Sequence, residues 1–264
     1  MKLGIIGLGN MGSAMLTGIL KKGLVKPEEV LGAEPDEKRR QEIEKSLSIR
    51  VTGENKEVAA YADILILAVK PQVYETVLKD IRKTLPKETV VISIAPGKTL
   101  AWLTKELGGE IKLVRCMPNT PALVMEGCTG VCRNSAVSDE EFTRVLELLN
   151  CFGKAYEVSE KMMDAVVAVS GSSPAYVFML IEAMADAAVA EGMPRQSAYS
   201  FAAQAVYGSA KMVLETGKHP GELKDMVCSP GGTTIEAVQV LEECGFRSAI
   251  IEAMRACAAR SREL

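Results

Sequence analysis

Two domains of different class are predicted for this chain of 264 residues: an N-terminal α/β domain and a C-terminal all-α domain. Up to about residue 161, short apolar runs of strand length alternate with segments of helical periodicity. From about residue 162 no strand pattern follows, and Ala, Met and Leu recur at helical spacing. A Gly-rich turn also separates the first strand pattern from the first helix pattern. These observations divide the chain into residues 1–161 and 162–264.

Composition and charge favour a globular protein that acts on small molecules. Apolar residues make up 48% of the chain and the formal net charge is −3. The charges are interspersed, so no nucleic-acid partner is predicted. The most apolar runs, residues 64–69 and 176–181, are too short to span a bilayer, and the chain enters a strand pattern directly after Met1 and Lys2 without a signal peptide. We therefore expect a cytoplasmic protein with no membrane partner.

Seven cysteines and one histidine limit the chemistry of the side chains. An odd number of cysteines in a chain of this size does not suit a disulfide framework, so we expect reduced core residues. Cys128 and Cys132 are not accompanied by a second cysteine or histidine pair, so no metal site is predicted. His219 lies in a turn between helices, where a surface or turn-packing role is expected.

Eight strands are predicted in the N-terminal domain. They cover residues 3–8, 30–34, 49–52, 64–69, 90–94, 112–117, 129–133 and 155–158. Helices at residues 11–22, 37–46, 73–85 and 100–107 separate several of them, and Ser138-Asp139-Glu140-Glu141 resembles a capping box that opens another. This alternation predicts a mostly parallel sheet covered by helices.

The turn after the first strand is typical of dinucleotide binding. Its sequence is Gly7-Leu8-Gly9-Asn10-Met11-Gly12. Glycines at this spacing, between a strand and a helix, allow a tight turn, close approach of a pyrophosphate and close helix packing. We therefore predict a Rossmann-type domain; a Gly-rich turn without a nucleotide is the alternative, and it is less favoured because the neighbouring elements also fit.

Glu34 ends the second predicted strand, about twenty residues after the Gly-rich turn. A carboxylate at this position hydrogen-bonds the adenosine ribose hydroxyls of NAD and repels the additional phosphate of NADP, which favours NADH. Lys38, Arg39 and Arg40 follow within one helical turn and carry the charge that a 2′-phosphate needs, although an exposed helix face also explains them. NADPH and NADH therefore both stay open as cofactors.

Four helices are predicted in the C-terminal domain. One starts at Ser172-Ser173-Pro174 and ends at Gly192-Met193-Pro194, a second runs from there to about Glu215, and two more cover residues 234–244 and 247–262. The first two carry apolar residues on more than one face, which requires a covering surface. We expect subunits to associate through this domain; a monomeric helical bundle fits the pattern equally well.

A turn of small residues precedes the helix predicted at residue 234. Its sequence is Cys228-Ser229-Pro230-Gly231-Gly232-Thr233-Thr234. Glycines let a ligand approach the backbone closely, and we expect Thr233 and Glu236 to form a capping box with Thr233 as the N-cap. The amides and positive dipole of such a helix terminus suit a carboxylate or phosphate. An ordinary loop and helix cap is the alternative.

The residues around this turn resemble the signature of pyrroline-5-carboxylate reductases, the enzymes that make proline. The matching positions are Pro220, Leu223, Val227, Ala237, Val238, Leu241 and Glu242. The resemblance extends over almost the whole chain. It implies a Rossmann domain followed by a helical dimerisation domain, a homodimer that can assemble further, and NADPH or NADH as cofactor. The implied reaction is reduction of the C=N bond of 1-pyrroline-5-carboxylate to L-proline.

The resemblance also implies roles for individual residues. Thr234 hydrogen-bonds the ring nitrogen, and the substrate carboxylate is held by Ser229, Gly231, Gly232 and Thr233. Glu160 matches a substrate-side position, although an acid at the start of a helix explains it equally well. The cofactor positions are Ile6, Gly7, Leu8, Gly9, Asn10, Met11, Gly12, Glu34, Asn55, Ala68, Val69, Lys70, Pro71, Ile94, Ala95 and Pro96. Three residues depart from the family pattern: Glu34, Pro96 and Ser173.

Two other classes fit parts of the pattern. β-Hydroxyacid dehydrogenases also combine a Gly-rich turn with C-terminal helices, but they resemble one another in using a lysine of the helical domain, and the helix after Gly171 has none. Lys211 lies on the next long helix without the accompanying asparagine pattern. A catalytically silent nucleotide-binding or regulatory protein is the second alternative. An assay of nicotinamide absorbance with 1-pyrroline-5-carboxylate distinguishes it from a reductase.

Overall fold

The computed structural model describes residues 1–263, which form two compact units. The first contains Met1–Ser172 together with the residues from Cys257 onward, and the second is Ser173–Ala256. The predicted boundary after residue 161 lies before this division. The residues that follow it still belong to the first unit, since Met163 is buried in a small apolar cluster with Met117 and Cys132 of the sheet. The assignment of substrate binding and dimerisation to residues 162–264 stays a prediction.

An eight-stranded sheet lies at the centre of the first unit. Its strands are β1 (Leu3–Ile6), β2 (Val30–Ala33), β3 (Arg50–Thr52), β4 (Ile64–Leu67), β5 (Val90–Ser93), β6 (Lys112–Met117), β7 (Gly127–Arg133) and β8 (Gly153–Glu157). The order is β3-β2-β1-β4-β5-β6-β7-β8. The first six strands are parallel, β7 is antiparallel to β6, and β8 is parallel to β7. The predicted, mostly parallel sheet is confirmed, with strand ends shifted by a few residues.

Helices cover both faces of this sheet. They are α1 (Asn10–Lys21), α2 (Glu37–Leu47), α3 (Asn55–Tyr61), α4 (Tyr74–Ile81), α5 (Leu100–Leu107), α6 (Asp139–Leu149) and α7 (Met163–Val166). Along β4, Ile64 and Ile66 belong to one buried apolar cluster, and Leu65 and Leu67 belong to another. Successive side chains of a strand point to opposite faces, so each cluster fills one side of the sheet.

Two polar details at helix starts bear on the predictions. The capping box at Ser138 is confirmed, because its Oγ accepts from the Glu141 amide at 3.2 Å and the Glu141 carboxylate accepts from the Ser138 amide at 3.0 Å. His219 is the N-cap of a helix, and its Nδ1 accepts a hydrogen bond from the Gly221 amide at 3.1 Å. All seven cysteines are free, but Cys244 is exposed and is not the core residue that was expected.

The second unit consists of helices. They are α8 (Ser173–Ala190), α9 (Arg195–Thr216), α10 (Pro220–Val227), α11 (Thr233–Glu243) and α12 (Phe246–Arg262), of which α12 ends in the first unit. The helix α10 was not predicted. Large apolar side chains on α8 and α9 are exposed in the single chain, among them Phe178, Phe201 and Leu214 at 62, 68 and 77%.

The helical stretch that contains α8 begins before the predicted start at Ser172 and is therefore longer than expected. Glu160–Ala190 spans 31 residues, and an 18-residue window of it has a mean hydropathy of 1.4, so the stretch is long and apolar enough to cross a membrane by length and composition alone. The continuous apolar runs at residues 64–69 and 176–181 are each too short to span a bilayer, but α7, a π-helical segment (Val167–Gly171) and α8 follow one another directly and form this longer helical stretch.

The chain leaves the first unit and returns to it at neighbouring points. It leaves after Ser172 and returns at Cys257. The Sγ of Cys257 donates a hydrogen bond to the Oγ of Ser172 at 3.2 Å. Close to these two residues in the chain, the Ser261 hydroxyl donates to the Asp164 carboxylate at 2.7 Å.

Candidate functional site

The predicted cofactor residues lie at one edge of the sheet in the first unit. The strands β1, β2, β4 and β5 end immediately before Gly7, Glu34, Ala68 and Ile94. These strands are adjacent, and backbone hydrogen bonds tie their extensions together, including Ala68 N to Ile6 O at 2.8 Å and Ile94 N to Leu67 O at 3.3 Å. Open α/β sheets bind ligands at the carboxyl ends of their strands, so this edge is the candidate cofactor site.

The three glycines of the Gly-rich turn differ in what surrounds them. Gly7 has φ +95°, and an added Cβ there meets the Ala68 carbonyl at 2.7 Å. An added Cβ at Gly12 lies 2.1 Å from the Gly7 oxygen, whereas one at Gly9 meets nothing within 4 Å. Gly7 and Gly12 are therefore required by the turn and its packing, and Gly9 leaves open space in front of the backbone.

This open space lies at the N-terminus of α1. Gly9 is the N-cap of α1, and in the described part of the chain no side chain caps the helix amides there. The amides of Asn10 and Met11 have no partner within the helix, and the helix dipole adds positive potential. The turn therefore fits the pyrophosphate of a dinucleotide.

The remaining cofactor positions divide by exposure. Ile6, Leu8 and Ala95 are buried, so only their backbone groups are available to a ligand. Val69, Pro71, Ile94 and Pro96 are partly exposed, as is Asn55 at the start of α3, and Lys70 is exposed. Asn55 follows β3, whose end is joined to β2 by a hydrogen bond from the Glu34 amide to the Thr52 carbonyl at 3.1 Å. The structure thus places Glu34 and Asn55, two predicted cofactor positions, after neighbouring strands.

Glu34 is buried at the end of β2, and Arg39 of α2 lies beside it. The Nε of Arg39 is 3.7 Å from the Glu34 carboxylate, and its Nη2 donates to the Leu8 carbonyl at 2.8 Å. The neighbouring Arg40 donates instead to the carbonyls of Glu34 and Pro35 at 3.0 and 2.9 Å. Of the three basic residues Lys38, Arg39 and Arg40, therefore, Arg39 alone links the Glu34 carboxylate to the Gly-rich turn.

The predicted substrate turn lies in the second unit. Gly231 has φ +67°, and the Gly232 amide donates to the Ser229 carbonyl at 3.0 Å. An added Cβ at Gly232 lies 2.4 Å from the Ser229 Oγ, so this hydroxyl packs where a side chain at residue 232 would be. Thr234 is partly buried, whereas Ser229 and Thr233 are exposed.

The expected capping box at Thr233 was wrong. The N-cap of α11 is Gly232, with φ −83° and ψ 168°, and Thr233 is the first helical residue. The turn closed by the Gly232 amide starts the helix one residue earlier than expected. Because no side chain of the described residues caps α11, its first amides stay available to an anion.

Glu160 is held within the first unit. Its carboxylate accepts from the Leu100 amide at the start of α5 at 2.7 Å and from Arg115 Nη1 at 3.0 Å. Arg115 is 4% exposed, so Glu160 compensates a buried charge. These contacts give Glu160 a structural role at the start of α5 and beside Arg115; its predicted role beside the substrate stays a prediction.

Two buried polar residues near these loops were not predicted as functional. Asn119 donates from Nδ2 to the Ser170 carbonyl at 2.9 Å and accepts from the Cys128 amide at 2.8 Å, which joins the loop after β6 to β7 and the π-helical segment. Tyr74 is buried between the ends of β4 and β5. Pro118 and Pro121 mark the loop of Asn119 as irregular, rigid backbone in the sequence, but no sequence signal marks Tyr74.

This fold and its edge of loops define an oxidoreductase that uses a nicotinamide dinucleotide. Residues 2–97 match the family model for NADP oxidoreductase, coenzyme F420-dependent, and residues 160–264 match the model for pyrroline-5-carboxylate reductase dimerisation. The chain belongs to the pyrroline-5-carboxylate reductase family.

Relatives and solved structures match over the full length. The pyrroline-5-carboxylate reductase of Escherichia coli (strain K12) is 54% identical over 263 residues, which cover 100% of this chain and 98% of the relative. That of Methanosarcina acetivorans is 46% identical and covers 100% of this chain and 97% of its own. The crystal structure of Plasmodium falciparum pyrroline carboxylate reductase with NADP bound has a TM-score of 0.90 at 35% identity, covering 99% of this chain and 97% of that one. The expected family and fold are confirmed.

Proposed function

We propose that the chain catalyses the reduction of the C=N bond of 1-pyrroline-5-carboxylate to L-proline, the last step of proline biosynthesis. The observation that carries this proposal is the turn at the start of α11, where the Ser229 hydroxyl lies beside uncapped helix amides. A small carboxylate suits these groups, because helix amides and hydroxyls donate hydrogen bonds to anions.

In this proposal the first unit binds the cofactor and the second binds the substrate. The nicotinamide dinucleotide supplies the hydride, and the Gly-rich turn holds its pyrophosphate. The residues from Ser229 to Thr233 hold the substrate carboxylate, and the Thr234 hydroxyl hydrogen-bonds the ring nitrogen. A cyclic imine is basic and enters in its protonated form, so it accepts the hydride without a strong acid from the protein. Position and electrostatics are then the protein's main contribution.

For the cofactor, we propose a preference for NADH over NADPH. The Glu34 carboxylate is suited to accept hydrogen bonds from two free ribose hydroxyls, and it repels a 2′-phosphate. Arg39 offsets part of this repulsion, but its shortest contact is with the Leu8 carbonyl, and it lies at 3.7 Å from Glu34. This arrangement supports NADH as the better substrate and NADPH as a usable one.

We also propose a homodimer formed through the helical unit, which works in the cytoplasm without nucleic-acid or membrane partners. Support comes from the match of residues 160–264 to a dimerisation model and from the exposed apolar side chains of α8 and α9. A second copy, rather than lipid, then covers the apolar stretch Glu160–Ala190. Seven free cysteines fit a reducing compartment.

The test is a nicotinamide absorbance assay on the full chain with 1-pyrroline-5-carboxylate and each cofactor. We expect oxidation of both cofactors, a higher kcat/KM with NADH, and formation of L-proline measured by chromatography. Cofactor binding without oxidation contradicts the proposal and favours the catalytically silent alternative. Oxidation of the cofactor only with a hydroxy acid as the second substrate supports a dehydrogenase instead.

A further inference from the structure

A fully buried tyrosine links the ends of two strands at the candidate cofactor site. Tyr74 is 0% exposed and is the first residue of α4. Its hydroxyl donates to the Leu67 carbonyl at 2.6 Å and accepts from the Ser93 hydroxyl at 3.1 Å. Leu67 is the last residue of β4, and Ser93 is the last residue of β5. The link lies where the loops of residues 68–71 and 94–96 begin.

The chemistry of this hydroxyl suits a fixed link rather than proton transfer. Burial raises the pKa of the Tyr74 phenol above its ordinary value of 10, and the hydrogen bonds from Ser93 and from the backbone of Ile94 and Ala95 only partly oppose this. The phenol therefore keeps its proton at neutral pH and donates steadily to Leu67. The Leu67 carbonyl also accepts from the Ile94 amide at 3.3 Å. The end of β4 is therefore joined to the end of β5 both directly, through this amide, and through the Tyr74 hydroxyl of α4.

We propose that Tyr74 is a positioning residue for the nicotinamide ring. Its hydroxyl fixes the spacing between the loops of residues 68–71 and 94–96, and through these loops the orientation of the ring, without contacting the cofactor. The inference rests on the proposed function in one respect: because β4 and β5 lie on the opposite side of β1 from β2 and Glu34, it takes these loops to flank the nicotinamide half of the dinucleotide. The adenosine half is held elsewhere, by the Gly-rich turn and Glu34.

The experiment compares two ligands that differ in the nicotinamide half. Tyr74→Phe keeps the buried ring and removes the link. We expect the Kd of ADP-ribose, which lacks nicotinamide, to stay within about twofold, while the Kd of NADH rises about 3- to 10-fold, the range for one lost hydrogen bond. Calorimetry on the full-length protein measures both, and the rate of hydride transfer in a single turnover should fall by at least as much.

Two further variants keep the test decisive. Ser93→Ala removes the hydrogen bond from β5 to Tyr74 and keeps the one from Tyr74 to Leu67, so it should move the NADH Kd in the same direction by a smaller amount. The double variant should lose less than the sum of the two, because the pair shares one bond. Tyr61→Phe, on α3 and away from both loops, is the matched control and should change neither Kd.

Equal weakening of NADH and ADP-ribose in folded Tyr74→Phe and Ser93→Ala overturns the proposal, as does an unchanged Kd for both ligands. Because the main measurement is binding, it is independent of the reaction. A wild-type protein that binds NADH and does not reduce 1-pyrroline-5-carboxylate refutes the proposed function and leaves the role of Tyr74 to be decided by the two Kd values.

Discussion

The hydroxyl of Thr234 is the side-chain group on which we expect turnover to depend most. Thr234→Val keeps the shape and removes the proposed hydrogen bond to the imine nitrogen, a bond that should strengthen as this nitrogen pyramidalises in the transition state. One net hydrogen bond contributes about 0.5–1.5 kcal/mol, and up to about 3 with a charged partner, so kcat should fall several-fold to about a hundredfold. Steady-state kinetics and NADH binding measure the change.

Ser229→Ala is the matched variant in the same turn. It weakens the carboxylate site, so it should raise KM more than it lowers kcat. Wild-type turnover in folded Thr234→Val, with normal cofactor binding, would contradict the role of Thr234 and leave it as an ordinary residue of the first helical turn.

The Glu34 carboxylate should set the cofactor preference. Glu34→Ser removes the repulsion of a 2′-phosphate and releases Arg39, so the ratio of kcat/KM for NADPH to that for NADH should rise by about tenfold or more. The double variant Glu34→Ser with Arg39→Ala should lose most of this gain. If the ratio stays constant in Glu34→Ser, this carboxylate is not at the ribose.

At the residue scale, the sequence predicted positions better than contacts. Glu34 and the glycines were placed correctly because a motif and a strand pattern fix their distance along the chain. The bond from Arg39 to Leu8 joins residues 31 positions apart, and that from Ser93 to Tyr74 joins residues 19 apart. Such pairs depend on strand order, which local patterns do not specify.

At the scale of elements, the turn before α11 should depend on the backbone conformation of Gly231. Gly231→Ala and Gly245→Ala each place a side chain at a positive φ, +67° and +73°, with open space around it. Each should lower the free energy of unfolding by about 1–2 kcal/mol. Only Gly231→Ala should also raise the KM for 1-pyrroline-5-carboxylate, because the turn of Gly231 is the proposed carboxylate site and the turn of Gly245 is not. Equal kinetics in the two variants would count against the turn as the substrate site.

Two helices, α10 and α11, differ from the sequence prediction. The eight-residue helix α10 was missed because Pro220 and Gly221 indicate a turn and because its three apolar residues, Leu223, Met226 and Val227, are too few to establish a helical period. The start of α11 shifted from Thr233 to Gly232 because either residue suits an N-cap position, and a hydrogen bond within the preceding turn decides between them. The strands β1, β4 and β5 were predicted well since each is a fully buried run rich in apolar residues, whereas β3 and β8 are partly exposed.

At the scale of the whole molecule, the apolar surface of α9 should hold two copies together. Leu214→Asp places a charge on a side chain that is 77% exposed in the single chain. If a second copy buries this surface, the variant should dissociate at micromolar concentration, as measured by light scattering. Leu24→Asp, which changes an exposed leucine of the nucleotide-binding unit, is the control and should leave the mass unchanged. A monomeric wild type would contradict the dimer.

The hydrogen bond between Ser172 and Cys257 makes the helical unit resemble a cassette inserted into a nucleotide-binding protein. Because its entry and exit are adjacent, joining Ser172 to Cys257 through a short Gly-Ser linker removes the cassette without stretching the chain. We expect the shortened protein to be a monomer that binds NADH with a Kd near that of the full chain and reduces no imine. Loss of NADH binding with every linker length would show that the first unit depends on the cassette to fold.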